Sequence, residues 1–360
     1  MVPDIPRRSD VIRKHKARGG RVAAVLPIHY PRALLRAAGF LPVEVWGPPG
    51  LDYAPGAAHL QPYICSVVRN ALSFLLSGGL EAADVIVVPH GCDSLQGLAS
   101  ILLDFVRPRQ PVRPIYLPRN PAPYGVAFLR EELREMEGWL ASFTGQALDR
   151  GDLWEAIRRE ERAEEVLARL HLERPNLPLT NLEYYRILRS REFLPAEVFT
   201  SLGESTLASR SPTPAAGIRV VLSGVLPEPS ALLSTLDHLG VLVAGDDLIA
   251  CGRRLYPPGR SLDPHEHMAE SLLGAPPDST RGSSIVSRLD HLLRLVRQVE
   301  AKGVIFSLVK FCEPELFHLP GLRQGLKEAG IPSVILEADL NDPLSLQAQT
   351  RLEALVEMTG

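Results

Sequence analysis

The chain reads as an α/β protein: two Rossmann- or flavodoxin-like parallel-sheet domains with a helical insertion between them. Three observations predict this. Short runs rich in Val, Ile and Leu alternate with helical stretches over residues 21–122, the strand signal disappears over 123–208, and alternation resumes over 209–360. Alternating strand and helix patterns are the mark of βαβ units and a parallel sheet. At 360 residues the chain is also too long for one ordinary core, so two cores are expected.

In the first half, strands are predicted at 22–28, 42–46, 85–88 and 114–117, with helices at 31–38, 67–76 and 94–106 between them. Each helix is short enough to be a crossover. From Pro123 the pattern turns helical, with Phe128, Leu133, Met136, Trp139 and Leu140 spaced to line one face. Leu153, Ile157, Val166 and Leu170 continue the stripe on a charged helix, whose acidic run at 160–165 reads as a solvated face. Residues 209–217 have linker composition. The second half then places strands at 218–222, 241–244, 304–309 and 333–337, and helices at 230–239, 285–301 and 319–329. The Pro/Gly/Ser-rich interval 256–284 reads as a long loop carrying one short helix near 265–273.

With 39 basic and 42 acidic side chains, net charge is -3. No global field draws the chain to nucleic acid or an anionic membrane. Seven Arg and Lys residues crowd 7–21, and residues 1–20 are expected to be a flexible basic segment. No run approaches the ~18 apolar residues of a membrane span, and no secretory h-region opens the chain. A cytoplasmic protein is expected.

Four cysteines cannot form a disulfide scaffold at this size. Cys92 and Cys312 each follow an apolar strand directly, and Cys65 stands at the entry to the helix at 67–76. The carboxyl edge of an open parallel sheet is where ligands bind. Their separations, 27 and 220 residues, match no compact zinc-ribbon or ferredoxin spacing. Placement still suggests one metal or cluster site built from distant segments, with three soft thiolates leaving a fourth position open. Cys251 reads as either a spare ligand or an inert buried thiol. Asp93 and Ser94 read as helix caps as readily as functional groups, and Asp246 and Asp247 as loop caps or substrate-facing acids. His265 and His267 read as solvated loop histidines. Neither a dinucleotide fingerprint nor a phosphate-cradling G-x-x-x-x-G-K-[ST] loop occurs. Any ATP would be bound by another protein.

Read in order, residues 31–43 (PRALLRAAGFLPV), Cys65 with Ser66 to Asn70, Gly91-Cys92-Asp93-Ser94, Leu222-Ser223-Gly224, Gly245 to Leu248 with Arg253, Lys310 to Pro314, and Leu336 to Asp339 resemble the 2-hydroxyacyl-CoA dehydratase family. That family also contains benzoyl-CoA reductase subunits. The resemblance runs from about Val22 to Leu352. It implies that Cys65, Cys92 and Cys312 hold a [4Fe-4S] cluster with one non-cysteine position; Ser66, His90, Asp93 and Glu313 are the candidates to surround it. It also implies an acyl-CoA substrate, a related dehydratase subunit in a homo- or heterodimer, and a separate ATP-dependent iron-sulfur activator that injects one electron. The implied reaction is radical elimination of water from a 2-hydroxyacyl-CoA. An acyl-CoA reductase of the benzoyl-CoA type, or a non-catalytic cluster-carrying scaffold, are the alternatives. Where many members carry a glutamate, this chain has Ala33, so His29, Asp247 and Glu313 are the candidates for acid–base work.

Overall fold

The structure, a computed structural model, describes residues 4–119 and 122–359. The first half holds α1 (Arg8–Ala17), β1 (Arg21–Val25), α2 (Arg32–Ala37), β2 (Phe40–Glu44), α3 (Ala54–Ala57), α4 (Ser66–Leu76), β3 (Val85–His90), α5 (Asp93–Ile101) and β4 (Val112–Tyr116). Four helices follow: α6 (Pro123–Thr144), α7 (Arg150–Leu172), α8 (Asn181–Ser190) and α9 (Ala196–Ala208). The second half holds β5 (Ile218–Gly224), α10 (Ser230–His238), β6 (Val241–Leu248), α11 (Pro264–Leu273), α12 (Ile285–Gln298), β7 (Gly303–Val309), α13 (Glu313–Glu328), β8 (Ser333–Ala338) and α14 (Leu346–Thr359).

All strand pairs are parallel, in the orders β2-β1-β3-β4 and β6-β5-β7-β8. The two halves therefore share one topology, as the alternation predicts. Pro42 and Pro114 sit in β2 and β4, the two edges of the first sheet, where a missing N–H costs the ladder least. β2 starts two residues before its predicted position because Arg21 to Val25 pair one for one with Phe40 to Glu44.

Side chains alternate between the two faces of each strand, and both faces are covered by helices. Ala24 on β1 and Leu26 just after it join a core that also takes Val220, Leu222 and Ile305 from the second sheet and Phe199 from α9. Ala23 and Val25 face the other way, against Leu34 of α2, Leu133 and Met136 of α6 and Ile157 of α7. Val221, Val304 and Phe306 pack on α12 and α13. The two expected cores are thus corrected to one shared core flanked by separate ones.

Other departures have local causes. Residues 1–20, expected to be flexible, contain α1. Its Val11 and Ile12 pack on Val22, Leu41 and Val43, while Arg8 pairs with Glu192 at 2.8 Å and Lys16 with Asp84 at 3.1 Å. The acidic run on α7 is not simply solvated: Glu160 is buried against Arg191 and Arg32. β6 extends through Asp246 and Asp247 because both acids find buried partners (below). α13 starts at Glu313, ahead of its predicted position, and continues through Pro320. α14 has no counterpart in the predicted elements. No helix among the described residues is long and apolar enough to cross a membrane.

Candidate functional site

In each sheet the strand order reverses beside the first strand, between β1 and β3 and between β5 and β7. The crevice outside the carboxyl ends at such a switch point is the usual ligand site of open α/β sheets. Here both crevices open on one cavity of about 50 Å³. Pro27 and Ile28 follow β1, Trp46 follows β2, Cys92 follows β3, Val225 follows β5, Ile249 follows β6 and Cys312 follows β7, and all of them line it with Cys65. Segments far apart in the chain supply the three thiols.

Each of these cysteines stands at the N-cap of a helix: Cys65 before α4, Cys92 before α5 and Cys312 before α13. Unpaired first-turn N–H groups and the helix dipole make such positions favourable for negative charge. Three helices therefore aim their positive ends at one apolar cavity. Cys65 and Cys312 are buried, Cys92 is half-buried, and none is in a disulfide. Burial pushes the Cys92 thiol up to about 12, and Cys65 nearby adds to this. Burial also raises Cys65 and Cys312, with neighbouring thiols adding to the rise at Cys312. First-turn amides pull all three the other way, but not far enough. Without a cation the cysteines are neutral thiols, and a bound metal would supply the charge that makes them thiolates.

The backbone at the cavity is unusual. Ile28, His29 and Phe311 have φ of 59°, 53° and 62°, a left-handed conformation that is an outlier for a β-branched residue such as Ile28. Such strain persists only where surroundings over-determine it, and it concentrates at functional sites. His29 is held by Tyr256 Oη, 3.0 Å from Nδ1, and by Asp278, 3.2 Å from Nε2. Gly224, at the end of β5, has φ 144°, and a Cβ there would lie 1.9 Å from the Ser307 carbonyl oxygen of β7. Only glycine lets the two strand ends approach this closely.

Three networks, one part-buried and two buried, hold the walls. Ser66, Arg69 and Asn70, spaced to share one face of α4, meet the loop after β8. Ser66 Oγ accepts from Leu340 N at 3.1 Å, Arg69 pairs with Asp339, and Asn70 and Asn341 exchange two 3.1 Å amide bonds. Beneath α13, Arg253 donates to Asp247 at 2.9 and 3.2 Å and to Glu315 at 2.6 and 3.0 Å, and Arg288 joins the same two carboxylates at 2.6 and 2.9 Å. Burial would raise Asp247 and Glu315, but the two guanidiniums hold both below the usual carboxylate range. Third, Trp46 donates its indole N–H to Glu44 at 2.9 Å, and Glu44 is clamped by Arg254 and Arg32.

The structure brings Cys65, Cys92 and Cys312 together and leaves Cys251 out, buried in the shared core. Ser66 ties α4 to the second sheet. His90 packs edge-on to Tyr116 at 5.8 Å. Asp93 and Ser94 are not caps, since Cys92 takes that position, and Asp93 is exposed with Arg119 at 3.5 Å. Asp246 and Asp247 face no substrate space. Asp246 accepts from Gly252 N at 2.6 Å and Leu248 N at 3.2 Å, and Asp247 is closed in the arginine network. His29 is buried and fully bonded, while Glu313 is exposed in the first turn of α13. Ala33 is buried on α2, away from the thiols. His265 and His267 are not solvated: they lie 2.5 and 2.6 Å from Glu137 and Glu161 on α6 and α7. Sequence reasoning missed Trp46, Thr280 and Glu315. Glu315 had a readable signal, since it lies three residues after Cys312 at the start of a helix and so turns inward.

Among the described residues no group of three or more His, Cys, Asp or Glu is spaced to ligate a single metal ion. A cubane presents a different iron to each thiolate, so its ligands stand further apart than those of one ion. Three soft donors around one apolar cavity at three helix N-termini fit an iron-sulfur cluster.

Comparison with known proteins identifies the family. The sequence model of the family described as 2-hydroxyglutaryl-CoA dehydratase, D-component, matches residues 27–359. The chain is 26% identical to the (R)-2-hydroxyglutaryl-CoA dehydratase subunit beta of Acidaminococcus fermentans, over 96% of this chain and 94% of that one. It is 25% identical to the (R)-phenyllactyl-CoA dehydratase beta subunit of Clostridium sporogenes, over 96% and 94%. To a benzoyl-CoA reductase subunit of Thauera aromatica it is also 25% identical, over 93% and 91%. With nearly its whole length matched, the chain belongs to the 2-hydroxyglutaryl-CoA dehydratase D-component family.

Proposed function

We propose that this chain is the iron-sulfur subunit of a 2-hydroxyacyl-CoA dehydratase-type enzyme, which removes water from a 2-hydroxyacyl-CoA after one-electron activation by a separate ATPase. The observation that carries this is the facing of Cys65, Cys92 and Cys312 on one cavity, each from a helix N-cap. The names of the relatives, three of which are dehydratase subunits, support the reaction class.

A [4Fe-4S] cluster held by the three cysteines would supply one-electron chemistry at negative potential. The chain's own residues do the rest. First-turn amides of α4, α5 and α13 stabilise the thiolates, and the Val, Ile and Leu lining keeps water out. Trp46, fixed by Glu44, closes one wall. Of the acid–base candidates, His29 and Asp247 are buried and already paired, whereas Glu313 has a carboxylate open to solvent beside Cys312. Glu313 is therefore the candidate to hold or deliver a proton at the mouth.

A second reading has one observation in its favour. A cavity of about 50 Å³ is small against the roughly 300–1,000 Å³ of typical small-molecule sites. So small a cavity favours a chain that carries electrons while a related subunit processes the substrate. An acyl-CoA reductase uses the same part, and the likeness to a benzoyl-CoA reductase subunit supports that variant.

Anaerobic reconstitution with iron and sulfide, followed by iron and sulfide analysis, tests the cluster. A chain that takes up no iron overturns the whole reading. Adding an ATP-dependent activator, reductant, a related subunit and 2-hydroxyacyl-CoA substrates then separates the roles, because an electron-carrying subunit gives enoyl-CoA only with its partner.

A further inference from the structure

A second, larger cavity adjoins Trp46, which lines both it and the thiol cavity. Its volume is about 350 Å³, within the range of small-molecule sites. Alternation along the strands turns Val22 and Ala24 of β1, with Val43 of β2 and Val45 just after it, toward this space. Leu226 and Leu340, from the segments after β5 and β8, close it from the second half. A further wall is α1, which contributes Arg8 and Ile12.

The charges around this chamber cancel. Among the described residues its charged lining side chains are Arg8, Arg189, Glu192 and Glu228. Arg8 pairs with Glu192 at 2.8 Å, and Arg189 pairs with Glu192 at 2.7 Å and with Glu228 at 2.5 Å. The Trp46 indole N–H is committed to Glu44. No cation is left to neutralise an acid and no carboxylate to hold an amine, so a charged ligand would lose water there without gaining a partner.

An apolar cavity of about 150 Å³ already admits benzene, so this one has room for a ring and a short arm. We propose that the chamber is a binding site for an uncharged apolar molecule, an aryl or branched alkyl group with a neutral polar end at the ion pairs, and that Trp46 is the wall it shares with the thiol cavity. The proposal does not depend on the cluster, since none of the three cysteines lines the chamber.

The test titrates the full chain with 3-phenylpropanamide, 3-phenylpropanoate and glutarate, reading calorimetric heat and tryptophan fluorescence. The amide is expected to bind once per chain with a dissociation constant of about 1 mM or tighter and to change the fluorescence. Phenylpropanoate should bind at least roughly tenfold more weakly, and glutarate not at all, because each brings an unpaired carboxylate. Trp46→Phe should keep the heat and lose the fluorescence change. Val43→Phe and Ala24→Leu, which fill the chamber from two different strands, should each weaken the amide roughly tenfold or more, and whichever of them folds decides the location. A wild-type chain that does not bind the amide overturns the proposal, as does tighter binding of either acid. A fluorescence change that survives Trp46→Phe, or an affinity unchanged in a folded chamber-filling variant, places the ligand elsewhere and overturns it too.

Discussion

Glu44, the last residue of β2, accepts hydrogen bonds from both terminal nitrogens of Arg254, 210 residues further along the chain, at 2.7 and 2.5 Å. The same carboxylate takes the Trp46 indole N–H. One ion pair thus joins the first sheet to the second half and fixes a wall of the thiol cavity.

Replacing Glu44 by Gln leaves Arg254 buried without its counter-charge and Arg32 with Glu160 alone, which is expected to cost about 3–5 kcal/mol in urea unfolding. Acid should do the same. Burial alone would raise Glu44, but Arg254 and Arg32 hold it at about 2. A depressed carboxylate stabilises the fold above its unfolded value of about 4.3, and the contribution is lost as pH falls toward 2. Wild-type stability should fall by roughly 3 kcal/mol over that window, and Glu44→Gln should show a flatter profile there.

His29 sets a separate window. Burial lowers it from 6.5 to about 4, against the pull of Asp278, while Arg281 and Arg254 lower it further. Tyr256, the remaining group packed on the ring, stays protonated here, since burial raises it to about 12. Folding favours the neutral ring, so the unfolded chain binds the extra proton below pH 6.5. Stability is therefore complete above 6.5 and declines by about 3 kcal/mol as pH falls to 4. His29→Gln should flatten the slope between pH 6.5 and 4 and leave the lower, Glu44-dependent step in place. An unchanged slope above pH 4 would contradict this assignment.

Glu313 and Glu315 should behave as opposites. Glu315→Gln breaks the pairing with Arg253 and Arg288 and is expected to cost about 3 kcal/mol or more. Glu313→Gln removes an exposed acid from a helix N-terminus, worth less than about 1 kcal/mol. Denaturant midpoints of the two variants measure the contrast, and comparable losses would mean that Glu313 has an undetected buried partner.

Gly224→Ala places a methyl group against the Ser307 carbonyl oxygen. A loss of about 3 kcal/mol or more is expected, by strain at a special backbone position. Thermal melting checks it. A variant as stable as wild type would show that β5 and β7 can part at their ends.

Cys251 is the control for the ligands. Cys251→Ala should leave bound iron and visible absorption intact after reconstitution, whereas replacing Cys65, Cys92 and Cys312 together by Ala should abolish both. Loss of a substantial part of the iron from Cys251→Ala would make it a ligand.

Element order, strand direction and the position of Cys92 and Cys312 at strand ends were legible because they follow from local periodicity and turn chemistry. α1 was not, since its two apolar anchors, Val11 and Ile12, are outnumbered by charges whose partners, Glu192 and Asp84, lie far along the chain. The acids were harder still. Glu160, Asp247, Glu313 and Glu315 look alike in sequence, yet three are buried and one is exposed. His265 and His267 looked solvated because Glu137 and Glu161 belong to helices over 100 residues away.

From the order of its residues alone this protein already has two parallel sheets, a helical block between them, two thiols placed at strand ends and a third at a helix entry. Only the packed chain decides that those thiols share a cavity and that Glu315 rather than Glu313 is enclosed. The reason is physical: strand and helix patterns are written at spacings of two to four residues, whereas desolvating a charge is tolerable only where a partner arrives from elsewhere in the fold. Arg253 meets Glu315 across 62 residues and Arg254 meets Glu44 across 210, distances at which no local pattern can register the pair.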